Sequence, residues 1–442
     1  MRGVLSGHFR GACGRLVAGT PGLRCLAGSL LGWILCLAGA FAQPGAPQPG
    51  GPVQAPSFLN ALNFRDLPFI PIPEVGTDPN SGTTTGLLSV FLTTDEQREI
   101  RRILAPDVIH HPDFGFGSRG RIFSYPSEDT QWYVVGGLKQ RVEREFDALY
   151  TTGRLRQEAW SWSVQAVYDR SGTSRFFGIG NGARRADQTN FVTGQAFAEV
   201  RVGWNASHDW QVAYLLRPRW VDVEAGVSRE LPSIQAVFPG TGRLGAGYDL
   251  LNLLSVTYDT RDSLDVPTRG VALAAYAGVS PPVGSAASYS VAGIDARHFW
   301  PVARDLIVAS HAALRTMPTG VTPPFWALGS LGGDRSVLAG AQPLRGFGAG
   351  RFIDRNAVSA SLELRYTMLD LDLFKTTLSV ELAPFVEVGR VYHDLTGNPL
   401  ASLHAVGGLG FRAVARPFIV GYVDIGYGSE GLAVFSGIKY PF

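Results

Sequence analysis

Cysteine is nearly missing from this chain of 442 residues, and its three cysteines, Cys13, Cys25 and Cys36, all lie within the first 42 residues. The rest of the sequence therefore has no thiol that could form a disulfide, bind a metal or attack a substrate. Charge is also scarce, because only 17% of the residues are charged and the formal net charge is +2. A broad nucleic-acid interface needs a clear excess of basic residues, so we do not expect the protein to bind nucleic acid.

The first 42 residues have the composition of a secretory signal peptide. They contain four arginines and no acidic residue, an apolar run over 30–41, and the small residues Ala40 and Ala42 at its end. We therefore expect export through the inner membrane and cleavage before Gln43. Loss of the four arginines leaves 35 basic against 37 acidic residues, a net charge of −2.

The next segment, 43–80, is rich in Pro, Gly and Gln. Such a composition cannot bury enough apolar surface to form a core, so we expect an extended periplasmic linker. The sequence from 81 to 442 has a different pattern and is predicted to form a single barrel domain.

Long apolar runs are also missing, since none after residue 42 could cross a bilayer as a helix. Helical periodicity is confined to the short stretch 95–104, and alternating segments of about ten residues recur instead. In 357–366, for example, Val358, Leu362 and Leu364 share one face, while Glu363 and Arg365 lie on the other. Repeated apolar faces with aromatic residues near their ends, opposite polar faces, indicate a transmembrane barrel with lipid outside and water inside.

The alternating segments predict an all-β fold, a sixteen-stranded antiparallel transmembrane β-barrel in the outer membrane. An even number is typical of bacterial barrels, as are short periplasmic turns and long extracellular loops, here 224–248 and 317–356. The predicted strands are 83–93, 115–126, 131–145, 158–170, 174–180, 192–204, 208–223, 249–260, 269–279, 287–300, 305–316, 357–369, 378–391, 404–414, 417–427 and 432–442.

Motifs for catalysis and for cofactor or metal binding are not found. The glycines of "QPLRGFGAGRFIDRN", 342–356, fit neither a dinucleotide-binding nor a Walker spacing. Neither Gly-x-Ser-x-Gly nor His-Glu-x-x-His occurs, and the adjacent His110 and His111 have no third ligand at a suitable spacing. We therefore expect no enzymatic activity, no catalytic residue, no cofactor and no metal. Asp259, Asp262 and neighbouring arginines are expected to form local ion pairs in a solvated periplasmic turn.

The C-terminus ends on alternating residues, with Ile438, Tyr440 and Phe442 on one face of the last predicted strand. A terminal Phe with an aromatic residue two positions earlier resembles the recognition signal of outer-membrane barrels. This implies that the barrel-assembly machinery is a partner for the chain's own insertion.

Five sequence motifs in order resemble the bacterial surface antigen family, the outer-membrane assembly-factor superfamily that includes the central subunit of the barrel-assembly machinery. They are "SRFFGIGN", "YDTRDSLDVPTRG", "LGGDRSVLAGAQPLRGF", "DRNAVSASLEL" and "FVEVGRVY", and the resemblance runs from about residue 70 to 442.

The resemblance implies that the longest extracellular loop folds into the lumen. The loop motif Leu344, Arg345, Gly346 and Phe347 would then place Arg345 against acidic residues of the wall, at positions matching Glu363 and Glu387 in the sequence. Strand alternation independently puts both glutamates on the polar face, and a guanidinium presents a planar fork to carboxylates. The glycines beside the arginine would let the loop backbone approach the wall closely.

Two functions remain open. Family members that assemble or export proteins usually carry periplasmic client-binding domains, whereas 43–80 has the composition of a linker. The chain is expected either to aid insertion or translocation of outer-membrane proteins, or to be a plugged pore or structural barrel without that activity. In the first case a seam between 83–93 and 432–442 would open. The partners of the protein would then be outer-membrane lipids, unfolded outer-membrane proteins or a separate periplasmic factor. The glycines expected to weaken this seam are Gly82, Gly86, Gly431 and Gly437.

Overall fold

The structure is a computed structural model, and it describes most of the chain after the predicted leader and linker. The predicted leader, 1–42, and the greater part of the predicted linker, 43–68, lie outside the described residues. The described residues are 69–80, 82–318, 323–336, 340–341, 344–373, 376–395, 398–416, 419–438 and 440–442.

Almost all regular structure in the described residues is β-strand, as predicted. The first fifteen strands are β1 (Ile70–Asp78), β2 (Gly82–Thr94), β3 (Ile100–Leu104), β4 (Asp107–His111), β5 (Gly115–Ser124), β6 (Gln131–Lys139), β7 (Arg144–Thr152), β8 (Trp160–Ser171), β9 (Arg175–Phe176), β10 (Thr189–Asn205), β11 (Trp210–Ala225), β12 (Gly245–Asp259), β13 (Gly270–Ser280), β14 (Tyr289–Ala303) and β15 (Leu306–Thr316). The remaining strands are β16 (Gly329–Leu331), β17 (Arg335–Ser336), β18 (Gly340–Ala341), β19 (Phe352–Asp354), β20 (Asn356–Leu373), β21 (Thr376–Tyr392), β22 (His404–Ala415), β23 (Ile419–Gly428) and β24 (Gly431–Ile438).

Helical structure is limited to α1 (Ile234–Val237) and two 3-10 turns, Arg185–Asp187 and Phe325–Ala327. Within the described part of the chain, no helix has the length and apolar character needed to cross a membrane.

The main sheet is an antiparallel ladder that returns to its own first strand. It contains 20 strands, but two pairs of consecutive strands each occupy a single place in the ladder. β3 and β4 follow one another between β2 and β5, and β8 and β9 follow one another beside β10. The described residues therefore fill eighteen places in the ladder, two more than the sequence predicts. The first and last strands, β1 and β24, meet at one paired position, Thr77 opposite Val434.

Four segments differ from the prediction for local reasons. β1 falls in the predicted linker because it contains Pro71 and Pro73, which are typical of linkers but are tolerated in an edge strand. The predicted strand 131–145 is in fact two strands, β6 and β7, joined by a charged turn at 140–143. Helical periodicity over 95–104 is misleading, since this stretch forms a turn and β3. The predicted strand 174–180 is reduced to the two residues of β9.

The faces of the strands are distributed as in a membrane barrel, with apolar side chains exposed and polar ones buried. In β8 the side chain of Trp160 is 60% exposed, whereas its neighbour Ser161 is 9% exposed. Trp160 lies opposite Trp204 of β10, and Trp210 of β11 lies opposite Tyr258 of β12, so aromatic residues gather at one level of the outer surface. Such a band is typical of a membrane–water interface.

The two ends of the barrel differ in their connections. One end, which we call the loop end, carries the long connections 172–188, 226–244 and 317–355. The opposite end, called the turn end, carries the start of β1, the last residues 440–442 and shorter connections such as 206–209 and 304–305. We expect the loop end to be extracellular and the turn end to be periplasmic.

The connection 317–355 lies inside the loop end and touches walls far apart in the ladder. Its first half packs Phe325 and Ala327 into an apolar cluster with residues of β10, β11, β12 and β14. There Arg219 stacks over the ring of Trp326 at 4.7 Å and pairs with Asp249. The second half reaches β20–β23 on another wall, where it forms the candidate site.

Candidate functional site

The loop motif 344–347 is buried against the inner wall of β20–β23, and Arg345 is 1% exposed. Its Nε donates to Oε1 of Glu387 at 2.8 Å. Its Nη1 reaches Oε2 of Glu363 at 3.2 Å and Oδ2 of Asp424 at 2.6 Å. The backbone N–H groups of Leu344 and Arg345 both donate to Oε2 of Glu387, at 2.8 and 2.7 Å. One loop arginine thus contacts three carboxylates on three different strands.

Two more arginines complete this group. Arg412 of β22 bonds Oε2 of Glu363 at 3.1 Å and also pairs with Asp424. Arg365 of β20 bonds Oε1 of Glu363 at 2.9 Å. We call these six residues the lumen charge cluster, and its members are Arg345, Glu363, Arg365, Glu387, Arg412 and Asp424. All are at most 2% exposed, and their formal charges cancel. A buried ion network is tolerated when its charges balance and each ion is hydrogen-bonded, so removal of one member leaves an uncompensated charge.

Close backbone contact holds the loop motif to the wall. A Cβ atom added to Gly426 of β23 would lie 2.1 Å from the carbonyl oxygen of Arg345, and one added to Gly346 would lie 2.6 Å from the backbone nitrogen of Gly428. Only glycine permits these approaches. Leu344 has a φ of 107°, an unfavourable conformation for a residue with a side chain, which the surrounding contacts must stabilise.

Apolar contacts surround the charged groups. The Arg345 guanidinium lies over the Phe385 ring at 3.6 Å from its centroid, an arrangement that favours a cation–π interaction. Leu344 and Phe347 pack in one buried cluster with Phe385, Phe352 and other residues of the wall and the loop. The four residues of the motif therefore combine charge pairing, close approach and apolar burial.

The C-terminal residues predicted as a barrel signal lie partly inside the lumen. Ile438 is the last residue of β24. The predicted strand 432–442 ends at Ile438, so Tyr440 and Phe442, each 8% exposed, do not continue the alternation of this strand. Tyr440 donates its hydroxyl proton to Oε2 of Glu381 at 2.8 Å, and its ring lies 3.7 Å from the Arg365 guanidinium. Phe442 stacks on His311 with ring centroids 5.3 Å apart.

The structure thus brings Arg345 together with Glu363 and Glu387, and it adds Asp424, Arg365 and Arg412, which sequence reasoning does not single out. All three added residues are charged residues on the polar faces of predicted strands. Buried charges must be paired, so matching the acidic with the basic residues on the inward faces of adjacent strands could have identified them.

His111, one of the two adjacent histidines noted in the sequence, makes a local contact. The ring Nδ1 of His111 accepts a hydrogen bond from the backbone of Asp113 at 3.0 Å. Among the described residues, no group of three potential metal ligands occurs.

Comparisons with known proteins agree with this architecture. Residues 133–412, more than half of the chain, match the Omp85 superfamily domain. No curated protein matches the sequence. The chain matches solved structures of CdiB and BamA, and CdiB is similar in fold. CdiB from Escherichia coli has a TM-score of 0.51 and 11% sequence identity, covering 85% of this chain and 68% of CdiB. BamA from Haemophilus ducreyi lacking POTRA domains 1–3 has a TM-score of 0.49 and 14% identity, covering 87% of this chain and 76% of that one. The family predicted from the sequence motifs is confirmed: this outer-membrane β-barrel protein belongs to the Omp85 superfamily.

Proposed function

We propose that this barrel aids the insertion or translocation of outer-membrane proteins through the seam between β1 and β24. The observation that supports this is the difference in pairing on the two sides of these strands. β1 pairs with β2 at nine positions and β24 pairs with β23 at eight, whereas β1 and β24 share one. A seam with few backbone hydrogen bonds costs little to open, and its edges can then pair with a strand of another chain.

The composition of the edge strands agrees with a weak seam. Pro71 and Pro73 of β1 have no N–H to donate to a neighbouring strand. Gly431 is the first residue of β24 and Gly437 the last but one, and neither has a side chain for packing. Gly82 and Gly86, by contrast, belong to β2 and are separated from the seam by β1, so their expected role in weakening it is wrong.

A disulfide across the seam is expected to abolish assistance to client folding. Residues directly opposite on antiparallel strands have Cα atoms about 4.5–5.5 Å apart, within the range of about 4.4–6.8 Å that a disulfide needs. Thr77→Cys with Val434→Cys would join β1 to β24. The measurement is the rate at which an unfolded outer-membrane barrel protein folds into liposomes that contain the variant, before and after reduction.

The matched control shares one of these cysteines. Ile425→Cys with Val434→Cys joins β24 to β23, which are already paired along their length. We expect the oxidised control and the reduced seam variant to keep the activity of the unaltered protein, and only the oxidised seam variant to lose it. Equal folding rates for the oxidised seam variant and its control would count against an opening seam.

The alternative function, a plugged pore or structural barrel, has its own supporting observation. The lumen charge cluster fixes 317–355 to the wall with several buried contacts, as a permanent plug would require. In that case the liposomes would show no assistance to client folding, and loosening the loop would produce a stable ion conductance instead.

The partners follow from the proposal. Outer-membrane lipids contact the exposed apolar face, unfolded outer-membrane proteins are the clients, and a separate periplasmic factor would deliver them. The barrel-assembly machinery would insert the barrel itself after export with a cleaved signal peptide.

A further inference from the structure

A connection at the turn end, 260–269, reaches across the lumen, although its charges suggest a simple solvated turn. It joins β12 to β13, yet it contacts residues from two distant parts of the ladder. Such a crossing differs from the short surface turns that usually join strands at this end of a barrel. We refer to 260–269 as the strap.

The first contact ties the strap to the side of the barrel formed by β6–β8. Asp265 accepts two hydrogen bonds from Arg154, which lies in the turn after β7, with Nη1–Oδ2 and Nη2–Oδ1 distances of 3.1 and 2.9 Å. Gln131, the first residue of β6, donates from Nε2 to Oδ2 of the same carboxylate at 2.9 Å. A bidentate arginine–carboxylate pair is directional and among the stronger polar contacts.

The second contact ties the strap to the side formed by β22–β24. Val266, the residue after Asp265, is 1% exposed and packs in one apolar cluster with Val414, Val420 and Tyr440. Two adjacent residues of the strap therefore contact parts of the wall that are separated by many strands in the ladder. A segment held on both sides in this way must cross the mouth of the barrel at the turn end.

The strap has a defined internal structure. Asp262 accepts hydrogen bonds from the backbone N–H groups of Thr268 and Arg269, at 2.9 and 3.2 Å, and also pairs with the Thr268 hydroxyl. Partial burial opposes ionisation of Asp262, but these donors hold the pKa of its carboxyl below the ordinary value. At the end of the strap, Gly270 has a φ of 106°, and a Cβ there would lie 2.4 Å from the Thr260 carbonyl oxygen. The strap is thus folded on itself by its own hydrogen bonds.

The strap also bounds a polar cavity of the lumen. This cavity, of about 710 Å³, is lined by Leu264, Asp265 and Pro267 of the strap, by the C-terminal residues from Tyr440 onward, and by inward residues of β8 such as Ser163.

We propose that the strap is a gate that closes the turn end of the lumen, with the Asp265–Arg154 pair as its releasable fastening. At the opposite end, described residues of the loop 317–355 pack against the wall. The fastening is the weaker closure, because Asp265 and Arg154 have side chains 12% and 16% exposed, whereas Arg345 is buried. This gate goes beyond the proposed seam function and does not depend on it.

Access to a thiol in the lumen cavity tests the gate. In a background with Cys13, Cys25 and Cys36 replaced by serine, Ser163→Cys places one reactive thiol in the cavity. The protein is studied in lipid nanodiscs with a charged maleimide, and heat-modifiable gel mobility verifies that each variant is folded. We expect Asp265→Ala to speed labelling about tenfold, because loss of the fastening raises the population of the locally open state.

The matched control is Asp187→Ala, which removes a comparable bidentate pair with Arg184 from an exposed loop at the other end. It should leave the labelling rate unchanged. Val266→Ser, which weakens the second contact without touching the ion pair, should speed labelling as Asp265→Ala does. Labelling at the parental rate in folded Asp265→Ala and Val266→Ser variants would overturn the proposal.

Hydrogen exchange on the unaltered chain gives a test that needs no variant. The amides of 260–269 should exchange together, and about tenfold more slowly than those of the turn 206–209, because the strap opens as a unit held at both ends. Exchange as fast as in that turn would show that the strap is not fastened, and would overturn the proposal even if the variants did not fold.

Discussion

Replacement of Arg345 by alanine is expected to lower the free energy of unfolding by about 3–5 kcal/mol, the range found when one partner of a buried ion pair is removed. The reason is the charge balance of the lumen charge cluster. Without Arg345, three carboxylates face two arginines in a site where Glu363 and Asp424 are 0% exposed. Among the described residues, Glu387 would keep the backbone donors of 344 and 345 but lose the bond from the guanidinium. The measurement is urea-induced unfolding of the barrel in lipid, followed by gel mobility.

Three further variants separate charge from shape in this result. Arg345→Lys keeps the charge but loses the planar fork that reaches Glu387, Glu363 and Asp424 together, so it should recover little of the loss. Glu387→Gln added to Arg345→Ala restores charge balance and should recover part of it. Arg184→Ala, at an exposed pair, should have almost no effect, since surface pairs contribute about 0–1 kcal/mol. Unfolding of Arg345→Ala at the same urea concentration as the unaltered protein would contradict a stabilising role for the cluster.

Replacement of Gly426 by alanine is expected to release the loop 317–355 without unfolding the barrel. The new methyl group would lie 2.1 Å from the carbonyl oxygen of Arg345, so the loop must move away from β23. The backbone of β23 is held in the ladder and cannot yield by this distance, so the carbonyl of Arg345 must move with the loop, and this movement would break the contact of Arg345 with Asp424. Trypsin cleavage at arginines of 345–355 should become at least about tenfold faster, because the loop would populate an open state.

Gly421→Ala is the matched control for this prediction, since Gly421 lies on the same strand and its added Cβ would approach nothing closer than 3.9 Å. Its cleavage rate should equal that of the unaltered protein. If Gly426→Ala were cleaved no faster than Gly421→Ala, close backbone approach would not be what holds the loop in the lumen.

Much of the architecture can be predicted from the sequence because side chains along a strand alternate between its two faces, with a period of two residues. Alternation alone places Glu363, Glu387 and Asp424 on inward faces, and the motif around Arg345 indicates a loop inside the lumen. The prediction is weaker at the edges of the ladder. β1 contains Pro71 and Pro73, so its residues have the composition of a linker, and only pairing with β2 gives them a strand conformation.

Contacts across the lumen are the part that sequence patterns do not reveal. The meeting of Val266 with Tyr440 depends on the path of a connection through the interior, which no local pattern specifies. The inward position of Phe442 is similar, because alternation holds only as long as the strand continues. Tertiary packing decides both positions.

The most direct test of the central proposal is a quantitative outer-membrane proteome of cells with and without this protein, with a complemented strain as control. If the barrel aids assembly, a defined set of outer-membrane barrel proteins should fall when the gene is removed, and complementation should restore it. Complementation with the oxidised Thr77→Cys/Val434→Cys variant should fail, while Ile425→Cys/Val434→Cys should succeed. An unchanged set of barrel proteins in the deletion strain would contradict a role in assembly and favour a plugged pore.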